Sequence, residues 1–277
     1  MTRETISPPL RVTISRVVTV RKLVPLLLLF ALPALAHPPW GIVTDAAGDV
    51  YFSDLINVWR IDHRTGAVTL AHRGTQEVHI HEISPNPVRG FAAGPPRGYS
   101  VVLDNNRKEE TFIRKNGRVF VGGAYGFADG TGTRARFRNI VGMAAGPDGD
   151  LYVVDENAVR RITPAGVVTT IARNLAAPDP QAREPFSFGG LFGLAVTPSR
   201  IVYAADLRNR RVLRIAPSGA VAVALRADPP WTPTGVAVAR NGDIYVIEVG
   251  FRAPSTWMNP RVRKLSNGRV TTVAALR

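Results

Sequence analysis

GDLYVVDENAVRRITPAGVVTTIA, residues 149–172, is the stretch whose reading decides the fold. Its apolar runs are short, rich in Val and Ile, and lack a 3.6-residue period, so they read as strands. Gly149, Asn157 and Pro164-Ala165-Gly166 stand between the runs, where turns need a positive or a fixed φ. The stretch therefore predicts three strands joined by tight turns.

The same order of residues recurs outward from it. A glycine-hydrophobic step precedes each copy, at Gly41, Gly90, Gly142, Gly193 and Gly235, spaced by 49, 52, 51 and 42 residues. Seven residues after four of these glycines comes a second run: GDVYFSD from Gly48, GDLYVVD from Gly149, RIVYAAD from Arg200 and GDIYVIE from Gly242. The second copy is worn, with RGYSVVLD from Arg97. Third elements follow from Val58, Thr111, Val159, Val212 and Val262. Each copy holds four antiparallel strands, and a period of 40–50 residues reads as propeller blades about an axis. Small residues in the first strand (Ala92, Ala144, Ala145, Ala195, Ala237) suit the crowded place nearest that axis. The prediction is an all-β propeller of six four-stranded antiparallel blades, one reduced, with five blades as the alternative. Arg73–Arg89 supplies the worn remnant of the sixth blade or an additional strand.

Residues Gly122–Ala172 resemble one complete repeat of the NHL β-propeller family, through ADGTG…ARF and LYVVDENAVRRI. The fourth and fifth copies match less fully. The resemblance implies a propeller related in architecture to the gluconolactonase and strictosidine synthase groups. Fold alone does not give chemistry.

The 277-residue chain has no cysteine, which excludes disulfides, thiolate metal sites and a cysteine nucleophile. Residues 1–36 read as a secretory signal: a basic start at Arg21-Lys22, a 13-residue apolar run from Leu23 to Leu35, and Ala34-Leu35-Ala36 before the cleavage point. That run is shorter than the roughly 20 residues that span a bilayer. The expected mature chain is His37–Arg277, periplasmic or secreted, with anchoring by an uncleaved N-terminal segment as the alternative. No later run is long enough to cross a membrane. The whole chain carries a formal charge of +14, and residues 37–277 keep +10. A positive chain attracts polyanions of any kind, but export argues against nucleic acid. A monomer is expected.

Several residues are candidates for function. Asp54, Asp155, Asp206 and Glu248 close the second strands. They could gather around a divalent cation, or they could cap turns and pair with arginines such as Arg160 and Arg211, the role suited to a residue found in four copies. His79 and His81 share a strand face, with Glu82 adjacent, and two imidazoles on one face can hold a transition metal. Trp40 and Trp231 each follow a Pro-Pro pair before a first strand, and Trp257 lies in the insert Gly250–Pro260. Aromatics at a propeller mouth can stack on sugar rings. Third-strand arginines (Arg60, Arg160, Arg161, Arg210, Arg211, Arg214, Arg261, Arg263) suggest a solvated basic rim. No phosphate-cradling glycine loop, HExxH or GxSxG is present.

Two functions fit. One is a non-catalytic module that binds a small molecule, glycan or protein at one mouth. The alternative, implied by the resemblance to gluconolactonases, is a metal-dependent lactonase or esterase-like hydrolase. There a ring of carboxylate and asparagine ligands holds a divalent ion that polarises a carbonyl and activates water, with Glu82, Asp155, Asp206 and Glu248 as candidates.

Overall fold

The computed structural model describes residues 41–75, 80, 82–86, 90–103, 110–186, 189–252 and 256–276. Residues 1–36, Trp40, His79 and His81 lie outside these residues, as does the side chain of Trp257.

The chain is all-β. The first sheet runs β1 (Ile42–Thr44), β2 (Val50–Ser53), β3 (Val58–Ile61), β4 (Val68–His72) in spatial as in chain order. Next come a ribbon of β5 (Ile83–Asn86) and β6 (Gly90–Ala93), and a sheet of β7 (Tyr99–Leu103), β8 (Glu110–Lys115) and β9 (Arg118–Ala124). The opening stretch lies in a five-stranded sheet. In it β11 (Ile140–Ala145), β12 (Leu151–Asp155), β13 (Ala158–Ile162) and β14 (Val167–Ala172) follow in order, and β10 (Gly130–Thr131) adds to the outer edge. Then come β15 (Leu191–Val196), β16 (Val202–Asp206), β17 (Arg211–Ile215) and β18 (Val221–Arg226). The last sheet is β19 (Trp231–Val238), β20 (Ile244–Arg252), β22 (Arg261–Ser266) and β23 (Arg269–Ala275), with β21 (Thr256–Trp257) folded onto the end of β20. All these pairings are antiparallel.

The turns form where the sequence predicts them. Asn116-Gly117 and Asn267-Gly268 join β8 to β9 and β22 to β23, both residues of each pair at positive φ, the signature of a two-residue hairpin turn. Gly149 (φ 75°) opens β12, and Arg200 takes the same place before β16 at φ 62°. The worn fourth copy therefore holds a left-handed conformation without the glycine that relieves it.

Neighbouring sheets share apolar cores in sequence around a circle. Tyr152 and Val154 pack with Leu191, Ala204 and Leu213; Ala205 and Val212 pack with Val236 and Val246. Ile113 and Val121 meet Leu151 and Val153 through Ala135 and Phe137. Val43, Tyr51 and Val58 pack with Ile80 and Ile83. Phe52 and Ile61 of the first sheet pack with Ile247 and Val262 of the last, which closes the ring. The fold is a β-propeller. A middle strand is covered on both faces, so Leu151–Asp155 is buried throughout. The outer strand β4 is exposed at every position.

β1, β5, β11, β15 and β19 line an axial cavity of about 140 Å³. Ala144, Ala145, Ala195 and Ala237 stand there as predicted. The second repeat differs. Its axial strand is β5, with Ser84 and Pro85 on the cavity, while Gly90–Ala93 is the next strand out. Pro85 fits in this strand because an innermost strand is a sheet edge, where a missing N–H is tolerated.

Candidate functional site

Strand register decides which residues share a mouth. Ile140 pairs with Asp155, Asp155 with Ala158, and Val159 with Ala172. In the next sheet Leu191, Asp206, Arg211 and Arg226 are paired in a row. In the last, Trp231 pairs with Gly250, and Glu248 with Arg261. Asp155, Asp206, Glu248 and Trp231 therefore lie at one mouth.

The carboxylates there are bound by arginine within or beside their own sheets. Asp155 Oδ2 accepts from Arg160 at 2.9 Å, and both side chains are fully buried. Its Oδ1 accepts the backbone N–H groups of Arg138 and Asn139 at 2.8 and 3.0 Å. The Arg160 guanidinium lies between the rings of Phe127 and Phe137, 4.5 and 4.7 Å from their centroids. It also donates to the carbonyls of Arg136 and Ala128 and to Asp129. Asp206 Oδ2 accepts from Arg211 and from Asn209 Nδ2, both at 2.8 Å. Burial pushes its carboxyl up, against Asn209 and Arg211. Glu248 Oε2 accepts from Arg261 at 2.7 Å, and Arg263 Nε lies 3.0 Å from Oε1. Burial pushes this carboxyl up too, against Arg263 and Arg261. In the first sheet Trp59 replaces the arginine, donating its indole N–H to Asp54 at 2.7 Å.

The structure thus spends the oxygens of Asp54, Asp155 and Asp206 on bracing strand ends, while in Glu248 only Oε2 is hydrogen-bonded and Oε1 is buried without a hydrogen bond, facing Arg263 as an ion pair. Among the described residues, no three His, Cys, Asp or Glu side chains gather as a metal would require. The basic rim predicted from the third strands needs correction for the same reason. Arg60, Arg160, Arg161, Arg211, Arg261 and Arg263 are all in ion pairs. Arg210 is buried, donates to the carbonyls of Glu184 and Trp231, and lies 4.3 Å over Phe186.

Glu82 is different. It precedes β5 and reaches across the axis side of the ring, where Oε1 accepts the Met143 N–H at 3.1 Å. Met143 sits at the irregular register of β11 and lines the axial cavity. Glu82 is partly buried, and burial pushes its carboxyl up to about 7 against that one hydrogen bond. The side chains lining the nearby cavity are apolar apart from Thr44 and Ser84, whose hydroxyls donate to the carbonyls of Val238 and Pro95. Trp231 is half-buried, with the Arg261 guanidinium 4.2 Å over its ring, so one face is already covered.

No protein-family model and no curated protein matches this chain. Solved structures do resemble it. Selenomethionine-substituted virginiamycin B lyase from Staphylococcus aureus is 14% identical, with 85% of this chain and 83% of that chain covered and a TM-score of 0.43. A structural-genomics protein of unknown function from Bacteroides thetaiotaomicron is 18% identical over 86% of this chain and 57% of that one, with a TM-score of 0.45. A gluconolactonase from Xanthomonas campestris is 18% identical over 50% of this chain and 47% of that one, with a TM-score of 0.38. At these scores the likeness says nothing about chemistry.

Sequence reasoning missed a second feature of the mouth. Beside the Asp155 brace, three hollows of about 470, 290 and 320 Å³ adjoin. The first two share Phe127 and Arg173, and the last two share Glu156 and Asn157. They form one trough from Thr170 at the outer edge to Phe192 at the inner strand. Its residues come from Phe127–Asp129, the start of β11 with Arg138 and Asn139 before it, the β12–β13 turn, the end of β14 with the connection after it, and the start of β15. Only the first of these carried a sequence signal, as part of the repeat's lead-in.

Proposed function

We propose that the chain is an exported NHL-type propeller that binds a small molecule, glycan or protein at the mouth carrying Asp155, Asp206 and Trp231. The observation that carries this reading is that arginine, indole, amide and backbone donors hold every oxygen of Asp54, Asp155 and Asp206 and one oxygen of Glu248, whose other oxygen faces Arg263. A ligand ring for a divalent ion would need those oxygens free. The order of strands in Gly122–Ala172 supports NHL kinship, and the five strands on the axial cavity support the five-blade alternative. The leader pattern of residues 1–36 supports export, and the mature chain is read as a monomer.

One observation favours the hydrolase alternative. Glu82 has no arginine among its described partners, and a carboxyl that titrates near neutral pH suits proton transfer. The test is metal content and lactone hydrolysis of purified His37–Arg277, with thermal-shift titrations of Ca²⁺, Zn²⁺ and Cu²⁺. The binding reading expects no stoichiometric ion, no shift and no turnover. A bound ion lost in Glu82→Gln, together with lactone turnover lost in the same variant, establishes the hydrolase instead. An ion lost on replacing His79 or His81 moves the metal to the segment before β5.

A further inference from the structure

We infer that the trough over the third and fourth sheets is an oligosaccharide site, with Arg173 placed to take the carboxylate of an acidic sugar. This rests on the binding reading above and gives its ligand a chemical class.

The trough has the three kinds of group that sugar rings need. Phe192 is a half-buried aromatic at one end, and the apolar face of a pyranose packs on such a ring, while Phe127 at the other end already holds the Arg160 and Arg138 guanidinium groups 4.5 and 5.7 Å from its centroid. Asn139, Asn157 and Asn174 are exposed amides between them. An amide both donates and accepts, as does a sugar hydroxyl, so amides match hydroxyls whichever way these turn. Arg173, also exposed, makes no ion pair among the described residues.

The other charges along the trough are already matched. Arg138 pairs with Glu156 at 3.1 Å. Asp129 and Asp155 share the buried Arg160, and Asp129 also accepts from the Thr170 hydroxyl at 2.8 Å. Arg173 is left as the charge available to a ligand, and its fork suits a carboxylate. The +10 charge of residues 37–277 favours the approach of an anionic chain.

The floor is held in advance. Asp155 fixes the backbone of Arg138 and Asn139 through two N–H bonds, and the Leu175 N–H donates to the Asn157 carbonyl at 2.9 Å. A Cβ on Gly190 would fall 2.6 Å from Asn157 Oδ1, so the glycine lets this amide lie across the seam between the sheets. A backbone held in this way lowers the ordering cost of binding. The length of the trough, three hollows end to end, suits several linked sugars rather than one.

The test is calorimetric titration of His37–Arg277 with tetragalacturonate, its neutral methyl ester, and tetraglutamate of equal charge. The expected result is binding of tetragalacturonate, at least tenfold weaker binding of the ester and of tetraglutamate, and a tenfold or greater rise in Kd in Arg173→Gln and in Asn157→Ala. Arg118→Gln, an exposed arginine beside the Asn116-Gly117 turn, is the charge control and is expected to bind as the parent does. Unchanged melting temperatures show that the variants fold. Binding unaffected by Arg173→Gln and Asn157→Ala overturns the trough while leaving a binding propeller in place. Equal binding of tetraglutamate overturns the sugar class, and no binding of any of the three overturns the proposal.

Discussion

Gly142 and Arg160 show how single residues carry this fold. A Cβ at Gly142 would lie 2.6 Å from the Phe192 carbonyl oxygen of the next axial strand, and one at Gly41 would lie 2.9 Å from the Ile83 backbone N. The glycine that opens the repeat is thus a point of close approach between inner strands. Gly142→Ala must push two backbones apart, an overpacking cost of about 1–3 kcal/mol, measurable by urea unfolding. Arg160 is fully buried with Asp155, so Arg160→Met strands a buried carboxylate at a cost of about 3–5 kcal/mol. Arg138→Ala breaks an exposed pair with Glu156 and is expected to cost less than about 1 kcal/mol. Equal losses in the two arginine variants would show that the buried brace is not structural.

At the scale of the element, β5 and its leading Glu82 form the seam most open to pH. The folded chain favours the neutral carboxyl, because burial lifts it from the ordinary 4.5 to about 7. Its stabilising contribution is complete below about pH 4.5 and is lost as pH rises through 7. The loss is at most about 3 kcal/mol, and partial exposure reduces it. Asp206 and Glu248 are also shifted upward by burial and act with the same sign. The difference between the parent and Glu82→Gln isolates the one group. Melting temperature measured from pH 5 to 8 is expected to fall more steeply in the parent than in Glu82→Gln. Parallel curves would remove Glu82 from the account.

For the whole molecule, the decisive contacts join the two ends of the described chain. Phe52, Ile42 and Ile61 pack with Ile247, Val262 and Ala274, and the Thr44 hydroxyl donates to the Val238 carbonyl at 3.0 Å. An open repeat array tolerates loss of a terminal unit, because each unit contacts only its neighbours. A closed ring does not. Deleting residues 261–277 removes β22 and β23 and uncovers the first sheet as well as the last. It is expected to abolish the cooperative thermal transition followed by calorimetry or circular dichroism. A truncated chain that still melts sharply, close to the parent, would mean that closure contributes little.

Most of the strand pattern was legible from Gly149–Ala172, because turns and β-branched runs act over a few residues. The acidic residues closing second strands could be suspected of bracing, because the sequence places them in four copies next to arginine-bearing strands. Arg73–Arg89 stayed open between a worn blade remnant and an additional strand, since the tolerance of Pro85 in β5 comes from an edge position at the axis. The arginines read as a solvated rim, because charge in a sequence carries no information about the carbonyls and rings folded around it. Glu82 gains its character from burial against strands remote in the chain, its one hydrogen bond coming from Met143, 61 positions away, and Asp129 reaches Thr170 across 41. The periodic strands were therefore written in local residue order. The burial of Arg160, the neutral-range carboxyl of Glu82 and the trough at Arg173 came from packing sheets around a ring, where groups remote in the chain set one another's solvation.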